Sequence, residues 1–143
     1  INFKIINNTF GEKLMAEKIA EVSFNFINTV YSTDSQGRII KQINWKSDGD
    51  LAVYGEGHGT LTVIENINEA NGTGGPCSWA GEAFLPDGTR GLGTGNGLWE
   101  KTGEHIWSVS WEGEDSIVGK SRFQGQIELS TNMLTGNVYS RDS

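Results

Sequence analysis

A chain of 143 residues, 36% of them hydrophobic and 20% charged, is long enough for one domain with its own core and too apolar to be disordered. Its formal charge of −7 and its 11 scattered Lys and Arg argue against a nucleic-acid partner, because binding by counterion release needs a basic surface. Cys77 is the single cysteine, which excludes an internal disulfide and suits a reducing compartment, so a cytoplasmic protein is expected.

The first stretch, "INFKIINNTFGEKL", is interrupted by Asn7, Asn8 and Thr9, unlike a secretory signal. No apolar run approaches the roughly 18 residues of a membrane span. Residues 1–19 read as an N-terminal extension, with Leu14, Lys18 and Ile19 spaced for a short helix between Phe10 and Val22. From Ala20 to the end the dominant period is two, and residues 20–143 form the expected β-domain. In "AEVSFNFINTVY", Ala20, Val22, Phe24, Phe26 and Val30 fall on one face and Glu21, Ser23, Asn25 and Thr29 on the other, as in a half-buried antiparallel strand.

Turn chemistry then divides the chain at short intervals. "TDSQGR" ends the first strand; "RIIKQINWKS" makes a second, closed by the Asp-Gly turn of "SDGD". "DLAVYGEGHGTLTVIEN" is a third strand and "CSWAGEAFL" a fourth, with the loop "INEANGTGGP" between them. After "PDG" come "TRGLGTGNGLW", "HIWSVSWEG", "SIVGKSRFQGQIELS" and "LTGNVYS". About eight strands with no crossover helix predict an all-β fold, an up-and-down antiparallel β-barrel whose closure removes exposed edges.

The glycines support closure. Gly91, Gly93, Gly95 and Gly97 alternate along one strand and Gly55, Gly57 and Gly59 along another. Glycines at this spacing leave one face bare, so that a strand bends or a bulky neighbour lies flat against it. A phosphate-binding G-x-G-x-x-G loop is excluded, since Asn96 and Leu98 stand where its third glycine is required.

Metal ligation is not expected: His58, His105 and Cys77 lie on separate strands without the close spacing of a zinc motif. No cofactor is implied. The richest polar row is "YGEGHGT", where Tyr54, Glu56, His58 and Thr60 share one face. Facing solvent, the row is ordinary; facing a barrel interior, Glu56 and His58 would make an acid–base pair. Strand parity is compatible with both. Glu82, Asn96 and Arg122 are candidate polar contacts to a ligand, and Phe24, Phe26, Trp79, Trp107 and Trp111 are candidate walls of an apolar lumen.

The strands "YGEGHGTLTV", "DGTRGLGTGNG" and "GKSRFQGQIEL" resemble those of small calycin-type barrels and of allene oxide cyclase- or dirigent-like barrels. That resemblance implies an apolar small molecule held in the lumen, metal-independent cyclase or isomerase chemistry without a cofactor, and homo-oligomerisation. The competing expectation is a non-catalytic carbohydrate-binding or protein-interaction module working through exposed tryptophans.

Overall fold

The computed structural model describes residues 2–7 and 13–141. Nine strands follow one another: β1 (Asn2–Asn7), β2 (Lys13–Thr33), β3 (Ile39–Ser47), β4 (Glu56–Glu65), β5 (Gly74–Phe84), β6 (Arg90–Gly103), β7 (Ile106–Asp115), β8 (Gly119–Glu128) and β9 (Met133–Ser140). Each pairs antiparallel with the next, and β2 also pairs with β9, so β2 to β9 close into an up-and-down barrel of eight strands. The strand β2 is long enough to serve twice. Its Lys18–Asn25 portion meets β9 and its Phe24–Thr33 portion meets β3, with a bulge between Phe26 and Asn28.

The helix expected between Phe10 and Val22 is corrected in part. Residues 10–12 lie outside the described residues, but Lys13 onward is strand, paired first with β1 and then with β9. Barrel closure overrides the weak helical spacing, because Ala20 and Val22 are needed on the inner face and are buried there. The other strands fall close to their expected places. The chief exception is Leu51–Tyr54, expected as the start of a strand; Ala52–Tyr54 forms a single 3-10 turn instead. The only other helical piece among the described residues is the 3-10 turn Ile67–Glu69, and no described helix is long and apolar enough to cross a membrane.

Inner positions along the barrel change character from one end to the other. Toward the β4–β5 and β8–β9 connections the interior is filled by Trp45, Leu61, Val63, Cys77, Val109 and Leu134, all buried in one cluster. Toward the β3–β4, β5–β6 and β7–β8 connections the inner positions are largely glycine: Gly57, Gly81, Gly91, Gly93, Gly95 and Gly113. This difference creates the site.

Candidate functional site

The middle of the barrel is crossed by a stack of aromatic rings. Trp79 on β5 and Trp111 on β7 lie nearly parallel, centroids 5.0 Å apart, and Trp111 stacks in turn on Phe123 of β8 at 4.4 Å. Phe24 of β2 meets Trp79 edge to face at 5.5 Å. These rings lie where they do because their neighbours lack side chains. A Cβ on Gly59 would fall 2.0 Å from the Trp79 ring, one on Gly95 2.5 Å from Trp111, and one on Gly125 2.4 Å from Phe123. Each indole or phenyl ring therefore occupies volume that any other residue would claim, on the adjacent strand for Trp79 and Trp111 and two positions along the same strand for Phe123.

Beyond this layer lies a cavity of about 110 Å³, partly open to solvent. Phe24, Trp79, Trp111 and Phe123 line it along with the glycines of β4, β5 and β6, and Leu51, Tyr54 and Ile117 stand at its outer end. Leu51 is buried and its side chain reaches over Gly57, where a Cβ would come within 2.7 Å of it. The Leu51–Tyr54 segment is held by the Leu51 N–H donating to Gly55 O at 2.7 Å and the Tyr54 N–H donating to Leu51 O at 2.9 Å. Gly55 ends it at φ 70°, with the Phe84 carbonyl oxygen 2.4 Å from where a Cβ would stand, so both conformation and space call for glycine.

The polar couple of the cavity is Tyr54 and Asp115. The Tyr54 hydroxyl donates to Asp115 Oδ2 at 2.8 Å, while Asp115 Oδ1 accepts the Ile117 and Val118 N–H groups at 2.9 and 2.8 Å. One carboxylate thus pins the β7–β8 turn and fastens the Leu51–Tyr54 segment across it. Burial, followed by the charge of Asp115 and this hydrogen bond, holds the Tyr54 phenol far above its usual pKa of 10.0, so it stays protonated and donating.

Of the residues expected at the site, Phe24, Tyr54, Trp79 and Trp111 come together around this cavity, Tyr54 from the connecting turn rather than from a strand. The expected positions of the others need correction. Phe26 lies toward the opposite end, edge-on to Trp45 at 5.9 Å, and Trp107 is also at the filled end, beside His105. Glu56 and His58 do meet, with His58 Nε2 3.9 Å from Glu56 Oε2, but their side chains are on the outer face of β4. Leu51 and Trp79 fill the space inside Gly57 and Gly59, which leaves the outside for Glu56 and His58; the His58 ring packs there against Phe84. Glu82, Asn96 and Arg122 alternate outward likewise, Arg122 lying over the Tyr139 ring; of these outward residues, His58 and Glu82 still border the cavity, while Glu56, Asn96 and Arg122 do not. The lumen therefore does not contain the expected acid–base pair.

Exposed tryptophan platforms are also absent among the described residues. Trp45 and Trp111 are buried, and Trp79, Trp99 and Trp107 are half-buried on inner positions. No group of three or more potential metal ligands occurs among the described residues.

Sequence reasoning missed Leu51, Asp115, Ile117 and Phe123. A signal for the aromatic layer is present: Trp79-x-Gly81, Trp111-x-Gly113 and Phe123-x-Gly125 repeat one aromatic–glycine spacing on three strands. Comparison with protein-family models, with curated proteins and with solved structures finds no match.

Proposed function

We propose that the protein is a small-molecule-binding barrel whose site is the glycine-walled cavity between the Trp79–Trp111–Phe123 layer and the Leu51–Tyr54 segment. The observation that carries this reading is the cavity itself, an apolar space of about 110 Å³ with a hydrogen-bonded polar couple at its outer end. Binding sites are characteristically concave and largely apolar, with few placed polar groups. An engineered cavity of roughly 150 Å³ suffices for benzene. The present one, open on one side, suits a single five- or six-membered ring with its substituent at the opening, and is too small for a sugar chain or a long acyl tail. Any cyclase- or isomerase-type assistance would fall to Tyr54 and Asp115, the groups that face the ligand, rather than to Glu56 and His58.

The test is a thermal-shift titration of the wild-type chain and Ala83→Leu with neutral ring compounds such as cyclopentanol and toluene. Ala83 is buried on the cavity wall, and a leucine there takes up the free space. Ligand at about 100 times its dissociation constant should add roughly 2.7 kcal/mol, a rise of several degrees in Tm. The rise should disappear in Ala83→Leu. No shift in the wild-type chain, or an undiminished one in the variant, would rule the cavity out as the binding site.

A further inference from the structure

Besides Tyr54, four ionisable residues border the cavity: His58, Glu82 and Glu114 occupy outward-alternating strand positions, and Asp115, a carboxylate, is the one among them on an inner position. Asp115 occupies an inner position of β7, opposite Gly93, where a Cβ on Gly93 would fall 2.9 Å from the Asp115 Cβ. Its three hydrogen bonds all come from uncharged donors: the Tyr54 hydroxyl and the Ile117 and Val118 amides. No Lys or Arg lines the cavity, and Asp115 has no ion-pair partner among the described residues. A carboxylate oxygen has two acceptor positions, so Oδ2 can receive a second donor beside Tyr54. Behind it stand Phe24, Trp79, Trp111 and Phe123. Aromatic rings carry negative potential on their faces and attract cations, most strongly where water is excluded.

Resting on the cavity being the binding site, we infer that its ligand is a small organic cation, a protonated amine carried on a single ring or a compact branched body. The ring lies against the aromatic layer and the ammonium group donates to Asp115 Oδ2 at the opening. A neutral alcohol of the same shape keeps the apolar contact and one weaker hydrogen bond. A carboxylate of the same shape meets Asp115 as a like charge, with no Lys or Arg in the lining to offset it. The negative net charge of the chain adds a long-range attraction of the same sign. The cavity thus discriminates by charge as well as by size.

Isothermal titration of the full chain with benzylammonium chloride, benzyl alcohol and sodium benzoate, at one ionic strength and neutral pH, tests this. Benzylammonium should bind about tenfold more tightly than benzyl alcohol, the usual advantage of a charge-assisted hydrogen bond, and benzoate more weakly than either. Asp115→Asn should bring the amine and the alcohol to parity. An alcohol that binds as tightly as the amine, or an amine preference that survives Asp115→Asn, overturns the inference. If Asp115→Asn does not fold, Tyr54→Phe is the second variant: it frees Oδ2 and should bind the amine at least as tightly as wild type, and weaker binding counts against the inference. Neutral rings that bind while the amine gains nothing refute the cation alone. Failure of every ring compound refutes the cavity as a site.

Discussion

At the β4–β5 end of the barrel Leu61 is 1% exposed and Leu134 0%, and branched and aromatic side chains leave little space between them. At the β3–β4 end the same strands, with the same alternation, present Gly57, Gly81, Gly91, Gly93 and Gly113 to the interior around a cavity. Strand number and pairing are common to the two ends, so topology does not decide whether a small barrel is filled or hollow. The inner residues decide it. The glycines do two jobs: those at the middle, such as Gly59, Gly95 and Gly125, seat the aromatic rings, and those beyond them line the cavity and admit the close approach of Leu51, Ile117 and Asp115 at its outer end.

Breaking the filled end should have the largest effect. Leu134 on β9 is fully buried, and Leu134→Ala should cost about 2–5 kcal/mol of unfolding free energy, through lost burial and the cavity left behind. Urea denaturation would show this as a lower midpoint at unchanged slope. Ligand binding at the other end should persist below the transition, because the aromatic layer lies between. A loss below about 1 kcal/mol would mean that this end is looser than its burial implies.

The second prediction separates glycines within the hollow end by what faces them. A Cβ at Gly113 would stand 1.8 Å from the Thr94 carbonyl oxygen, which is backbone and moves only with β6. At Gly91 the Cβ would meet the Ile117 Cδ1 and Cγ1 atoms, at 2.5 and 2.6 Å, in a side chain that can turn aside. Gly113→Ala should therefore lose about 1–3 kcal/mol. Gly91→Ala should stay within about 0.5 kcal/mol, since displacement of Ile117 is offset by the lower conformational freedom of the unfolded chain. Equal effects in thermal melts of the two variants would show that strand glycines act here through general flexibility and not through close approach.

Much of this architecture was legible in the sequence. The alternation from Ala20 onward and the turns "SDGD" and "PDG" determine eight strands in order, and the runs at Gly55–Gly59 and Gly91–Gly97 point to a strand face that something must approach. The candidate site was half legible. Phe24, Trp79 and Trp111 follow from aromatic alternation. The orientation of "YGEGHGT" does not, because alternating polar and glycine residues fit either face until the identity of what lies across the barrel is known. Trp79, 20 positions beyond Gly59 in the chain, settles it by occupying the inner volume. Leu51 and Asp115 were hidden for another reason: both act through a connection, where a non-glycine residue at positive φ (Ala52, φ 49°) breaks the strand pattern and an aspartate takes its role from three partners of which one is 61 residues away.

The smallest expected effect distinguishes the two ends by alkaline titration. Cys77 sits in the filled cluster, and burial pushes its thiol up from 9.0 to about 11. In the unfolded chain the thiol ionises near the lower value, so between the two the unfolded state binds fewer protons than the folded one. The contribution to stability is complete below about pH 9 and is lost as pH rises toward 11, by at most about 1.4 kcal/mol for each pH unit crossed. Tyr54 at the hollow end has the same sign, with its window opening only above its ordinary value of 10.0. Denaturation midpoints from about pH 8 to 10 should therefore fall in the wild-type chain and in Tyr54→Phe alike, and fall less in Cys77→Ala. The slope surviving in Cys77→Ala, or vanishing in Tyr54→Phe, would move the titrating group from the filled end to the cavity.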